Sequence, residues 1–317
     1  KVTPDGRMIP VCSGLRSPGG VGPNAQGVMF CIESQGPWNG CCSLKHLKQG
    51  AFLGHPASYN WYPFVPGMDA PAVEPDSPSR LQVEKKRVKE LVPPVVRFPY
   101  IRMGRSIAGF RLNQTGGKFG PFENQIFLGD YTLSIILRVT TEQVNGVWQG
   151  ACYPFREGLS TGIMHVEFSP KGQLIVGGFT TNRQWPVRGT EPFAIQRIDW
   201  SGVVPFEIRE INIRKDGFLV TFTKPVDRDI ASGTEAYIVT TYTHNYAAGY
   251  GSPEVDHTTP KVIRAVPSAD GLSVMVHLDK TTEGHIHDFD LAGMVSRDGE
   301  HLLHTKAYYT VNEIPDH

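Results

Sequence analysis

The sequence predicts an all-β protein, a partial β-propeller of about three blades followed by an immunoglobulin-like β-sandwich. Three observations carry this expectation. Glycine (34) and proline (25) are abundant in 317 residues and aromatics are plentiful, which suits many short strands and turns. Strand–turn–strand units recur around Pro4-Asp5-Gly6, Asn24-Ala25-Gln26-Gly27 and Pro170-Lys171-Gly172, a weak repetition of propeller type. Past residue 203 the pattern becomes short strands at regular spacing, as in a two-sheet sandwich.

The elements follow in chain order. Residues 1–54 read as the middle of a propeller, with a turn at 24–27, a strand at 28–32 and a glycine-bearing loop at 33–40. No initiator Met, basic region or apolar leader opens the chain, so no targeting segment is expected. Residues 56–95 form a proline-rich insertion with a charged surface helix over 81–91, stopped by Pro93-Pro94. Its charge run is expected to be a solvated face. Strands return at 94–99, 125–130 and 134–139, and Asn145-Gly146 marks a type I′ hairpin. Strands at 162–168, 173–178 and 193–200 complete the blades, where a closed propeller has roughly 4–8. The expected division is a C-terminal propeller part over 1–202 and a sandwich over 203–317. Such a part-propeller leaves sheet faces open, so tight contact with another polypeptide or a symmetry mate is expected.

Bulk properties narrow the function. Lys plus Arg (31) equals Asp plus Glu (31), which gives no electrostatic case for nucleic acid or an anionic membrane. No apolar run reaches the length of a membrane span. Five cysteines, Cys12, Cys31, Cys41, Cys42 and Cys152, lack zinc-ribbon spacing, and no Cys-x-x-Cys-His haem motif is present. They read as buried small residues or as one or two disulfides of an oxidising compartment, with a vicinal Cys41–Cys42 bridge as a third option. No nucleophile elbow, phosphate loop or dinucleotide fingerprint occurs.

Several stretches carry a resemblance. They include Gln35-Gly36-Pro37-Trp38-Asn39-Gly40, Gly116-Gly117-Lys118-Phe119-Gly120-Pro121-Phe122 and Phe127-Leu128-Gly129-Asp130. Ala151-Cys152-Tyr153-Pro154-Phe155-Arg156 and Tyr250-Gly251-Ser252-Pro253-Glu254-Val255-Asp256 belong with them. Together they resemble large secreted bacterial proteins whose propeller is related to quinone-dependent sugar and sorbosone dehydrogenases. The resemblance implies a periplasmic or extracellular protein that oxidises carbohydrate with pyrroloquinoline quinone and Ca²⁺. It also implies partners: the remaining propeller blades, on the same parent polypeptide or another chain, and a cytochrome c domain that takes the electrons. The stretch 179–185 departs from it, being less glycine-rich than the usual loop.

A quinone site needs a base for the hydroxyl proton, cations over the quinone oxygens and oxygen ligands for Ca²⁺. His46 and His55 are the candidate bases. Arg138, Arg156 and Arg183 are candidate cofactor-binding cations, with Arg188 nearby and Trp38 as the aromatic wall. Asp130 is the candidate metal ligand. A plainer reading pairs Asp130 with Arg138 between neighbouring strands and makes both histidines structural. His285 and His287, with His301 and His304 nearby, read as a solvent-facing pair at a sandwich edge rather than a metal site. Tyr237, Tyr242, Tyr246 and Tyr250 suit core packing or sugar stacking. Two functions follow. One is a sugar dehydrogenase-like enzyme; the other is a non-catalytic carbohydrate-binding or assembly protein using both parts as scaffold.

Overall fold

Short apolar and alternating segments fold into mainly antiparallel sheets, none closed on itself, in a computed structural model that describes residues 1–181 and 185–316. The protein is all-β, as expected. Its first elements are β1 (Cys12–Ser13), β2 (Pro18–Pro23), β3 (Met29–Glu33), β4 (Cys42–His46), β5 (Ala51–Phe52), α1 (Leu81–Arg87) and β6 (Val96–Phe98). β2, β3, β4 and β6 form one sheet in that order, and β1 pairs in parallel with β5. A second meander follows: β7 (Ile107–Leu112), β8 (Ile126–Asp130), β9 (Ile135–Val144) and β10 (Val147–Arg156). Asn145 and Gly146 join its last two strands with φ of 48° and 79°, the left-handed pair a type I′ turn requires. The third meander is β11 (Ile163–Phe168), β12 (Leu174–Phe179) and β13 (Phe193–Ile198).

The remaining strands are β14 (Ile208–Arg214), β15 (Gly217–Phe222), β16 (Ile238–His244), β17 (Glu254–Thr258), β18 (Val262–Pro267), β19 (Ser273–Leu278), β20 (Ile286–Asp290) and β21 (Lys306–Thr310), with α2 (Arg228–Ser232) between β15 and β16. They make two facing layers, β14-β15-β19-β18 and β17-β16-β20-β21. The second layer does not stop at β21. Ala151 of β10 stands opposite Tyr309 of β21, so one eight-stranded sheet, β17-β16-β20-β21-β10-β9-β8-β7, runs across the expected boundary at residue 203.

Both faces of that sheet are covered, which is why β8 and the first half of β9 are apolar runs rather than alternating ones. On one face Leu128, Leu137, Cys152, Tyr242 and Tyr308 pack with Phe30, Ile32, Leu44 and Phe98 of the first sheet. The other face is shared. Phe127 and Ile136 meet Ile163, Val166 and Leu174 of the third meander, while Tyr153, Phe289 and Tyr309 meet Phe218, Val220 and Val276 of the sandwich. Each such large apolar side chain contributes about 1.5–3 kcal/mol on full burial. The first strands of the three meanders, β2, β7 and β11, lie side by side, and each following meander rests on the one before. Glycine makes this approach possible, since a Cβ at Gly22 would overlap the Phe110 ring and one at Gly129 would overlap Ile163.

The helix of the insertion ends at Arg87, earlier than expected, and its charges are engaged rather than merely solvated. Lys85 pairs with Glu313 and Arg87 with Asp76, while the buried Glu84 accepts from Ser79 Oγ at 2.6 Å. All five cysteines are free thiols, so no vicinal bridge joins Cys41 and Cys42. Burial pushes both thiols up to about 12, and they act as small apolar residues.

The seam between β10 and β21 is reinforced by Gln149. Its Nε2 donates to Tyr309 Oη (2.9 Å) and Glu313 O (3.1 Å), and its Oε1 accepts from the amides of Asn312 and Glu313 (both 2.8 Å). Gln149→Leu strands the buried Asn312 amide and is expected to cost about 2–4 kcal/mol. Urea unfolding measures it; a loss below about 0.5 kcal/mol would show the seam does not rely on this side chain.

Candidate functional site

The first two meanders share a device at the ends of their second strands. Glu33 ends β3, and its Oε1 accepts from the backbone amides of Arg16 and Ser17, which lead into β2. Asp130 ends β8, and its Oδ2 accepts from the amides of Arg105 (2.7 Å) and Ser106 (2.8 Å), which lead into β7. In each sheet a carboxylate therefore clamps the entry to the first strand. The third meander has no carboxylate there, because β12 ends at Phe179 and a side-chain amide, Gln196 Oε1, takes the Ser160 amide instead.

The two clamps differ electrically. Burial alone would raise the Glu33 carboxyl, but its ion pair with the equally buried Lys45 and the two amides hold it below the usual range. Lys45 Nζ also donates to Leu53 O at 2.8 Å. Asp130 has no such cation. Burial raises it even though Leu133 N (2.7 Å) joins the other two amides in pulling the opposite way.

Asp130 and Arg138 do not pair. Arg138 lies opposite Phe127, and its guanidinium donates to Gln125 Oε1 (2.7 Å) and Ile208 O (2.9 Å). It stacks over Phe122 at 4.2 Å and Tyr153 at 4.8 Å. Both groups are fully buried and bond only to the fold, with Arg138 Nε alone left without a partner in that guanidinium. A quinone or Ca²⁺ does not fit here: Arg138 is fully buried against Phe122 and Tyr153, Asp130's oxygens are taken by amides, and the described residues hold no cluster of three His, Cys, Asp or Glu suited to a metal.

The other expected site residues are scattered. His55 caps a short 3₁₀ turn, its Nδ1 accepting from Ala57 N at 3.2 Å. His46 ends β4 beside the rings of Phe30 (5.6 Å) and Trp148 (6.5 Å). Burial lowers the pKa of both histidines. Arg156 lies exposed at the end of β10 in a shallow groove with Arg197 and Asp199. Arg188 lines a separate groove with Glu157 and Glu191. Arg183 lies outside the described residues. Trp38, at φ 59°, packs edge-on against Tyr246 at 4.9 Å.

Trp38 leads to a constellation that sequence reasoning missed. It lines a small pocket of about 20 Å³ with Cys41, Lys45, Arg97 and His244, room for roughly one water molecule. Arg97 donates to Thr243 Oγ1 at 3.0 Å and to Gly284 O. Neither ring nitrogen of His244 has a partner, and burial with nearby Arg97 and Arg102 pushes its pKa down to about 3, so the ring is neutral. Trp38 and Cys41 come from the loop before β4, Lys45 from β4, Arg97 from β6 and His244 from β16, so no local spacing links the three elements. The His285–His287 pair is not solvent-facing as expected: His287 is fully buried against Phe218 (5.2 Å), and His285 meets Thr241 Oγ1 at 3.2 Å. His304 is paired with Glu207 at 2.6 Å.

No protein-family model matches the chain, and no curated protein is similar to it at a significant level. The reading of the site therefore rests on its geometry.

Lys45→Met leaves Glu33 as a buried carboxylate without its cation and is expected to cost about 3–5 kcal/mol at pH 7. Because Glu33 sits below its usual 4.5 when folded, the pair's stabilisation is complete above that value and fades as pH falls through the folded pKa. The gap between wild type and variant should shrink in urea unfolding at pH 4. An equal gap at pH 7 and pH 4 would remove the ion pair as its cause.

Proposed function

We propose that this chain is a non-catalytic binding and assembly segment of a secreted propeller protein of the sugar dehydrogenase-like kind. Its three meanders serve as later blades with β2, β7 and β11 innermost, and its sandwich braces them. One observation carries this reading: Asp130, Arg138 and His55, three of the groups a quinone reaction would use, are engaged by the fold. Asp130 is held by three amides, Arg138 by carbonyls and aromatic rings, and His55 by a turn. None of the grooves lined by Phe110, Trp61, Trp38, Arg188 or Arg156 unites a base with two free cations.

Carbohydrate remains the ligand class that fits. The C-terminal ends of β2, β7 and β11 converge on a groove of about 490 Å³ in which Phe110 and Phe168 stand beside Arg111, Gln114 and Lys118. Aromatic faces next to hydrogen-bonding side chains suit a sugar ring. Placement outside the cytoplasm and a cytochrome partner belong to the same reading through the resemblance, which is an argument by fold-level analogy.

A dye-linked oxidation assay of aldoses, with pyrroloquinoline quinone and Ca²⁺ added, separates scaffold from enzyme. No turnover above the blank is expected. Turnover that requires both additions would overturn the scaffold reading and restore an oxidoreductase.

A further inference from the structure

The third meander has one covered face and one bare face. Leu174 and Val176 of β12 point to the second meander, so Ile175 and Gly177 point away from it, while Phe179 at the strand end keeps its ring 6.0 Å from that of Tyr131 in the second meander. In register with these stand Arg197, Ile195 and Phe193 of β13, with Phe193 76% and Ile195 84% exposed. Two large apolar side chains this open on one sheet face are not what an isolated surface strand carries.

The internal packing shows what such a face receives. β8 and β12 are equivalent strands, Ile126-Phe127-Leu128-Gly129 against Leu174-Ile175-Val176-Gly177, with glycine fourth in each. In β8, Phe127 and Gly129 face the third meander, and the Gly129 seat is filled by Ile163 of the incoming first strand. In β12, Ile175 and Gly177 face the same way relative to their own sheet. A Cβ at Gly177 would meet only atoms of its neighbouring strand β13, the nearest 3.5 Å away. The seat is built and nothing in the described chain sits in it.

β13 is also the edge of its sheet. Thr180 N donates to Pro192 O, so Ala194, Gln196 and Ile198 turn their backbone groups toward β12, and Phe193, Ile195 and Arg197 turn theirs outward.

We infer that the bare face of the third meander is the seat of a further antiparallel sheet, whose first strand lies across β11 and β12 and sets a branched apolar side chain over Gly177. This rests on the assembly reading above and names its partner: a blade-like sheet from outside residues 1–317. Continuity selects it over a second copy of this chain, because β7 packs on β2 and β11 packs on β7 and β8, and the bare face of β11 and β12 is the next place in that order.

The test places a photocross-linker at position 195 in the full parent assembly and identifies the linked peptide by mass spectrometry, with and without Gly177→Val. The expected peptide is a short apolar strand from outside 1–317, and Gly177→Val should lower its yield roughly tenfold by filling the seat. In the isolated chain Gly177→Val should leave the unfolding midpoint unchanged, whereas Gly129→Val, whose seat is occupied, should lower it clearly. Linkage to residues 163–198 of a second copy, absence of any linked peptide, or a yield indifferent to Gly177→Val would overturn the inference. None of these outcomes depends on dye-linked turnover, so this inference and the scaffold reading can fail separately.

Discussion

The position of β10, with a strand paired to each of its edges, constrains the rest of the molecule. β9 occupies one edge and β21 the other, so the meanders and the sandwich cannot move as independent bodies without breaking a hydrogen-bonded ladder. Gly150 makes that fit possible on the β9 side, since a Cβ there would overlap Thr140 O. Arg138 completes the junction. Its guanidinium holds the carbonyls of Ile208 and Arg209 where the chain enters the sandwich, 2.9 and 3.3 Å away. A cation that sequence logic assigns to a cofactor is instead the tie between two halves of the fold.

Buried charge in this protein is solved in several ways, and the solutions bear on function. Glu33 has a lysine, Asp130 has only amides, and Arg138 has carbonyls and aromatic rings. A buried ion pair adds little over apolar residues of the same shape, but removing one partner is costly. Groups held this way are committed to structure and make poor catalysts. Arg102 gives the contrast, since it stays partly open while binding the buried Asp288 and the half-buried Glu254.

Much of the fold was legible because it is local. The Asn145-Gly146 hairpin, the alternating sandwich strands and the glycine-rich meander turns each announce themselves within a few residues. The β10–β21 seam was not legible, since it joins residues about position 150 to residues about position 310 and uses no motif. Asp130 and Arg138 looked like a cross-strand pair because both lie on neighbouring strands, but the register sets Arg138 opposite Phe127. His285 and His287 look like a solvent-facing pair at a sandwich edge because they alternate along one strand, yet Phe218 of the facing layer covers His287. One signal was available and unused: Phe30-Cys31-Ile32-Glu33 and Phe127-Leu128-Gly129-Asp130 both end a second strand in a carboxylate.

That repeated carboxylate also gives the chain a direction. The first sheet has a carboxylate, its lysine and the insertion packed around Phe52, Val88 and Leu91. The second has a carboxylate and the sandwich against its outer strand. The third has neither, only Gln196 at the equivalent place and a covered face on one side. Local stability follows the number of such restraints, so opening is easiest at β13. The least restrained sheet is thus the one with the bare apolar face and the free edge. Exposed edges of this kind are normally shielded by charge, proline or a covering element, and Phe193 and Ile195 provide the opposite of shielding. On the inference drawn above, a sheet seated on that face would supply the restraint that the third meander lacks among the described residues, so that one contact would serve both stability and assembly.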